Sequence, residues 1–122
     1  MAILGLVDTS FLGDGHTWGF TVANVNLTGK RVVMALSLIN PKTGSFDLTD
    51  PAVVKDSDVV GETTLINGPT GEIDMHLEPE DTDETSEVGA GGYQFQLRVY
   101  DAGVPVVVSE GVHTFRKTIV TP

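Results

Sequence analysis

Four stretches of the chain alternate apolar and polar residues, and this period of two is what most restricts the fold. The clearest is Tyr93-Gln94-Phe95-Gln96-Leu97-Arg98-Val99-Tyr100, apolar at odd positions through Val99, with Gln94, Gln96 and Arg98 between them. Side chains on a strand point to opposite faces in turn, so such a segment buries one face and wets the other. Glu72 to Leu77 repeats the pattern with Ile73, Met75 and Leu77. His16 to Ala23 sets Trp18, Phe20 and Val22 inward, and Lys30 to Ile39 sets Val32, Met34, Leu36 and Leu38 inward. No stretch carries a convincing helical period.

Turn chemistry separates these segments. Asn40-Pro41-Lys42-Thr43-Gly44, Asn67-Gly68-Pro69-Thr70-Gly71 and Asp101-Ala102-Gly103 supply the fixed φ of proline and the positive φ that glycine permits. The remaining segments read as an edge strand over Leu4 to Val7 and a loop over Asp8 to Gly15. Short strands follow over Ser45 to Leu48, Ala52 to Lys55 and Glu62 to Ile66. The last two strands cover Val104 to Val108 and Val112 to Val120. Close spacing of strands and turns predicts an all-β chain, a single antiparallel β-sandwich domain over residues 1–122. Short connections place consecutive strands as antiparallel neighbours.

Composition narrows the function. The chain has no cysteine, which excludes disulfides, thiol nucleophiles and cysteine-held zinc. Its 17 acidic and 7 basic residues give a net charge of −10. That balance argues against binding to nucleic acid or to an anionic membrane surface. The apolar start, Met1 to Val7, lacks a basic flank and meets Asp8 early, so it reads as a first strand and not as a signal peptide or membrane helix.

Candidate chemistry is sparse. His16, His76 and His113 fall at no metal-ligand spacing, and His76 and His113 are expected in solvent. No G-x-S-x-G elbow surrounds any serine. Trp18, beside Phe20 on an alternating strand, is expected in the core. Glu78 to Glu87 is an acidic loop with room for one helical turn. Its Asp81, Asp83, Glu84 and Glu87 are clustered oxygen donors, which makes Ca²⁺ the one cation worth naming, although the EF-hand pattern is missing. No other cofactor is expected.

Several segments resemble one family. Gly13-Asp14-Gly15-His16-Thr17-Trp18-Gly19-Phe20-Thr21-Val22 is similar to a G-D-T-x-x-F-x-x-x-V strand, and Leu27-Thr28-Gly29-Lys30-Arg31-Val32 to L-T-G-A-x-V. Gly71 to Thr82 is similar to G-x-x-x-x-x-L-x-P-x-D-T, and Gly92 to Val99 to G-x-Y-x-x-x-x-V. In order and spacing these motifs resemble the N-terminal immunoglobulin-like β-sandwich domain of tailed-phage upper-baseplate proteins, over nearly the whole chain. The chain departs from the pattern in an inserted Gly15-His16 and a longer acidic loop.

The resemblance implies a non-enzymatic structural protein of a tailed-bacteriophage virion, assembled in the bacterial host cytoplasm. Such a protein works by protein–protein contact, as a capsid decoration or cement protein or as a baseplate or tail component. It brings no catalytic residues with it. Partners are then other virion proteins and further copies of the chain, with a homotrimer as the expected oligomer. Exposed strand edges are the expected contacts. These are the N-terminal strand, with Ile3, Leu4, Leu6 and Val7, and the C-terminal strand, with Phe115, Arg116, Lys117 and Ile119. The alternative is a carbohydrate- or receptor-binding adhesion module, in which exposed Tyr93 or Tyr100 stacks on sugars.

Overall fold

A computed structural model describes residues 3–22, 25–47, 49–83, 86 and 88–117, and within residues 3–8 the backbone only. The elements in chain order are β1 (Ile3–Phe11), β2 (His16–Thr21), β3 (Arg31–Leu38), β4 (Val53–Asp56), β5 (Thr63–Asn67), β6 (Glu72–Leu77), a 3₁₀ turn (Pro79–Asp81), β7 (Gly91–Asp101) and β8 (Val104–Arg116). Among the described residues there is no α-helix. Five strands form one sheet in the order β1-β8-β7-β3-β4, and three form the other in the order β2-β6-β5.

The alternation sets what lies between the sheets. Trp18, Phe20, Ile73, Met75 and Leu77 come from the small sheet. Val32, Met34, Leu36, Tyr93, Phe95, Leu97 and Val99 come from the large one, and all belong to one buried cluster. The result is an all-β sandwich. Aromatic edges meet across it, with Phe20 and Phe95 ring centroids 5.7 Å apart.

Two turns show why the hairpins form where they do. Between β7 and β8, Ala102 (φ 50°) and Gly103 (φ 80°) both take positive φ, as a two-residue turn matching strand twist requires. Between β5 and β6, Gly71 has φ 77°, and a Cβ there would sit 2.1 Å from the Val22 carbonyl oxygen. Only glycine fits that approach.

Besides joining the last two expected strands into one, β8, the structure corrects four expectations. First, β1 runs parallel to β8, with Val7 opposite Val112 and Phe11 opposite Arg116. The strands joined by short turns are antiparallel, but β1 and β8 lie at opposite ends of the chain, and no tight turn dictates their direction. Second, β1 continues to Phe11, through residues expected in a loop. Third, residues 45–47 form no strand, and Leu48 lies outside the described residues. Fourth, Leu38 is exposed and lines an open cleft with Pro51 and Tyr93 instead of joining the core.

Candidate protein-contact surface

The most reactive-looking group lies inside the molecule. His113, expected in solvent, is 0% exposed. It sits on the inner face of β8, where β2 brings Trp18 and β1 brings Ser10. The Trp18 indole Nε1–H donates to His113 Nδ1 at 3.3 Å, and Ser10 Oγ lies 2.7 Å from His113 Nε2. An indole nitrogen can only donate, so Nδ1 accepts and the ring proton sits on Nε2, facing Ser10. In that tautomer the ring does not take the serine proton, so the pair has the opposite polarity to an activated nucleophile. His16 packs 4.9 Å from Trp18 and 5.1 Å from His113 between ring centroids. The cluster satisfies buried polar atoms and fills space.

His76 lies on the outer face of the small sheet, between Thr17 Oγ1 at 3.3 Å and Thr64 Oγ1 at 2.7 Å. Asp81, first of the four candidate cation ligands, is committed elsewhere. Its Oδ2 accepts from Lys55 Nζ at 2.6 Å and from the Glu78 backbone N–H at 2.8 Å. Lys55 is itself 4% exposed, so the carboxylate neutralises a buried cation. Glu84 and Glu87 lie outside the described residues. Among those described, no three His, Cys, Asp or Glu side chains gather in a group able to hold a metal.

The two tyrosines are placed differently. Tyr93 is buried and donates its hydroxyl to the Gly89 carbonyl at 3.0 Å. Burial pushes its phenol pKa up. Tyr100 is half-buried, with the Arg31 guanidinium 4.9 Å over its ring.

The expected contact residues divide. Phe115 is 1% exposed and stacks edge-on against Tyr93 and His113, so it belongs to the core and not to a contact surface. The alternation of β8 turns it inward, while Arg116 beside it turns outward over the Phe11 ring. Lys117 is exposed. The side chains of Ile3, Leu4, Leu6 and Val7 lie outside the described residues, as does Ile119, although the β1 backbone does form one edge of the large sheet.

What remains is the outer face of that sheet. Register places Gln94, Gln96, Arg98 and Tyr100 of β7 beside Ser37, Ala35, Val33 and Arg31 of β3. On the other side, β8 contributes Val107, Glu110, Val112 and Thr114. From β4 come Val54 and Asp56. A polar line crosses the middle, with Arg98 donating to Gln96 Oε1 at 3.0 Å and Gln96 Nε2 donating to Glu110 at 3.2 Å. At one corner Arg31 holds Asp56, Nε to Oδ1 at 3.1 Å, and this keeps the Asp56 pKa below the ordinary carboxylate value. Ser37 is 1% exposed, and its Oγ has no hydrogen-bond partner among the described residues.

Three arginines (Arg31, Arg98, Arg116) and three acids (Asp56, Glu110 and, paired with Arg31 at 3.5 Å, Asp58) stand on or at the rim of this face, an even balance on a chain of net −10. The outer face of the small sheet carries Glu72 and Asp74 beside His76, with no Lys or Arg on its strands. Sequence reasoning recognised Gln94, Gln96 and Arg98 as a wet face but missed their aliphatic neighbours. One signal was present. Val32-Val33-Met34-Ala35-Leu36 is apolar without interruption, the pattern of a strand covered on both sides.

No protein-family model matches this chain, and no curated protein sequence matches it either. No helix among the described residues is long and apolar enough to cross a membrane.

Proposed function

We propose that this protein is a non-enzymatic structural component of a tailed-phage particle. It acts by protein–protein contact, as a capsid decoration or cement protein or as a baseplate or tail component, and is assembled in the host cytoplasm. The observation that carries this reading is the outer face of the five-stranded sheet, where Val33, Ala35, Val54, Val107 and Val112 stand among polar side chains and charges of both signs nearly balance, on a strongly acidic chain. Faces of that kind bury well against protein. The motif resemblance supplies the setting, since fold alone does not specify function. The interior polar cluster supports the non-enzymatic part, because its serine and histidine are hydrogen-bonded with the wrong polarity for nucleophilic attack and His113 is sealed from solvent. Sugar stacking is the weaker reading, with Tyr93 in the core and Tyr100 under Arg31.

Mass spectrometry of separated heads and tails from purified particles tests the proposal. Recovery of this chain in one fraction, at a fixed ratio to its major protein, is the expected result. Its absence from both fractions ends the reading.

A further inference from the structure

We propose that the outer face of the five-stranded sheet is the seat of a second copy of this chain, the two related by a two-fold axis lying in the interface. The inference rests on the reading of this chain as a contact module and deepens it by naming the surface and the occupant, with a two-fold dimer in place of the expected homotrimer.

Charge decides which face two copies can share. At −10 each, two chains repel over most of their surface. The small sheet presents Glu72 and Asp74 without a compensating cation on its strands, so two such faces repel. The large sheet's outer face balances three arginines with three acids and holds charges of both signs side by side, Arg98 and Glu110 flanking Gln96. A two-fold axis crossing β7 between Gln96 and Arg98 sets Arg98 of each copy over the Gln96–Glu110 end of the other. The interface is then self-complementary, as an isologous contact must be.

Packing points the same way. A strand apolar on both faces belongs in a sheet covered on both faces, and β3 presents Val33 and Ala35 outward while Val32, Met34 and Leu36 are buried inward. The three-stranded sheet covers the inner side only. Five strands about 4.8 Å apart and about seven residues long give a footprint on the order of 600 Å² per copy. Two such footprints make about 1,200 Å², the lower end of specific interfaces.

Sedimentation equilibrium of the full chain, combined with charge reversal, tests this. The wild-type chain is expected to double its mass within the micromolar range. Arg98→Glu and Glu110→Arg, measured singly, place like charges together and are each expected to raise the dimer dissociation constant by about tenfold or more. An equimolar mixture of the two variants pairs opposite charges again and is expected to restore the dimer as a heterodimer. Melting curves at submicromolar concentration check that each variant folds. Should one fail, Ala35→Cys in this cysteine-free chain, treated with a short bis-maleimide, is expected to give a covalent dimer, whereas Thr21→Cys on the small sheet is not.

A wild-type chain that stays monomeric at every load overturns the proposal. So does a dimer indifferent to both reversals, a mixture that does not recover, or a dimer lost instead through Asp74→Lys. A monomeric chain still found in purified particles overturns the dimer and leaves the contact reading standing. A dimeric chain missing from particles does the reverse.

Discussion

His113 and Glu110 stand on the same strand and face opposite sides of the same sheet. Each belongs to a chain of polar groups, Ser10–His113–Trp18 inside and Glu110–Gln96–Arg98 outside. The inner chain centres on His113 and Trp18, both buried, and the outer one ends in two half-exposed charges. In a dry interior an unmade hydrogen bond costs the full desolvation of the group left behind, whereas at the surface water replaces a lost partner. The inner chain therefore holds the fold together. The outer chain, half-exposed at both charged ends, is expected to contribute less to folding and is available to specify a neighbour.

The largest effect expected from this contrast comes from His113→Ala. It opens a cavity beside Trp18 and strands the indole N–H, and chemical denaturation should show a loss of about 3 kcal/mol or more. A loss below 1 kcal/mol would break the comparison from the inside.

Lys55 sharpens it with a charge. Asp81→Asn leaves a 4%-exposed ammonium without its carboxylate, and a loss of about 2–4 kcal/mol is expected in the same measurement. Lys55→Met removes the charge and its need for a partner together, and should stay within about 1 kcal/mol of wild type.

On the outer chain, Arg98→Ala should cost less than about 1 kcal/mol of folding stability when measured at a concentration where the chain is monomeric. A cost comparable to that of His113→Ala would show that the outer network is structural after all. Ser37→Ala deletes a buried hydroxyl that has no partner among the described residues, and thermal unfolding should show a neutral to stabilising change of up to about 1 kcal/mol.

The smallest effect is one of pH, at Asp56. Arg31 lowers its folded pKa below the ordinary 3.8. The stability it contributes is therefore fully present above the unfolded value and disappears as pH falls through the folded one. Denaturation at pH 6 and at pH 3 should show a wild-type loss that is diminished in Arg31→Gln. Equal losses in the two chains would remove Asp56 from the acid response.

Period-two alternation was enough to place Trp18, Phe20, Ile73, Met75, Phe95 and Leu97 inside, because pleating is a local property of the backbone. The turns at Asn67 to Gly71 and Asp101 to Gly103 were legible for the same reason, since φ preferences belong to single residues. The alternation of β8 did imply that Phe115 and Arg116 face opposite ways, but not which of them is the inner one. The contact surface was half visible, through Gln94, Gln96 and Arg98. Its aliphatic half comes from β3, β4 and β8, and only register brings them beside β7.

By itself, then, the amino-acid order determined an all-β chain, the inner faces of its clearest strands, and an acid excess that sets copies against one another. Tertiary structure alone decided that the first strand lies parallel to the last, that Lys55 and Asp81 neutralise each other, and that His113 is dry. The physical reason is distance along the chain. A hydrogen bond such as Ser10 to His113, 103 residues apart, and the burial that makes it matter arise from segments whose meeting no local pattern records.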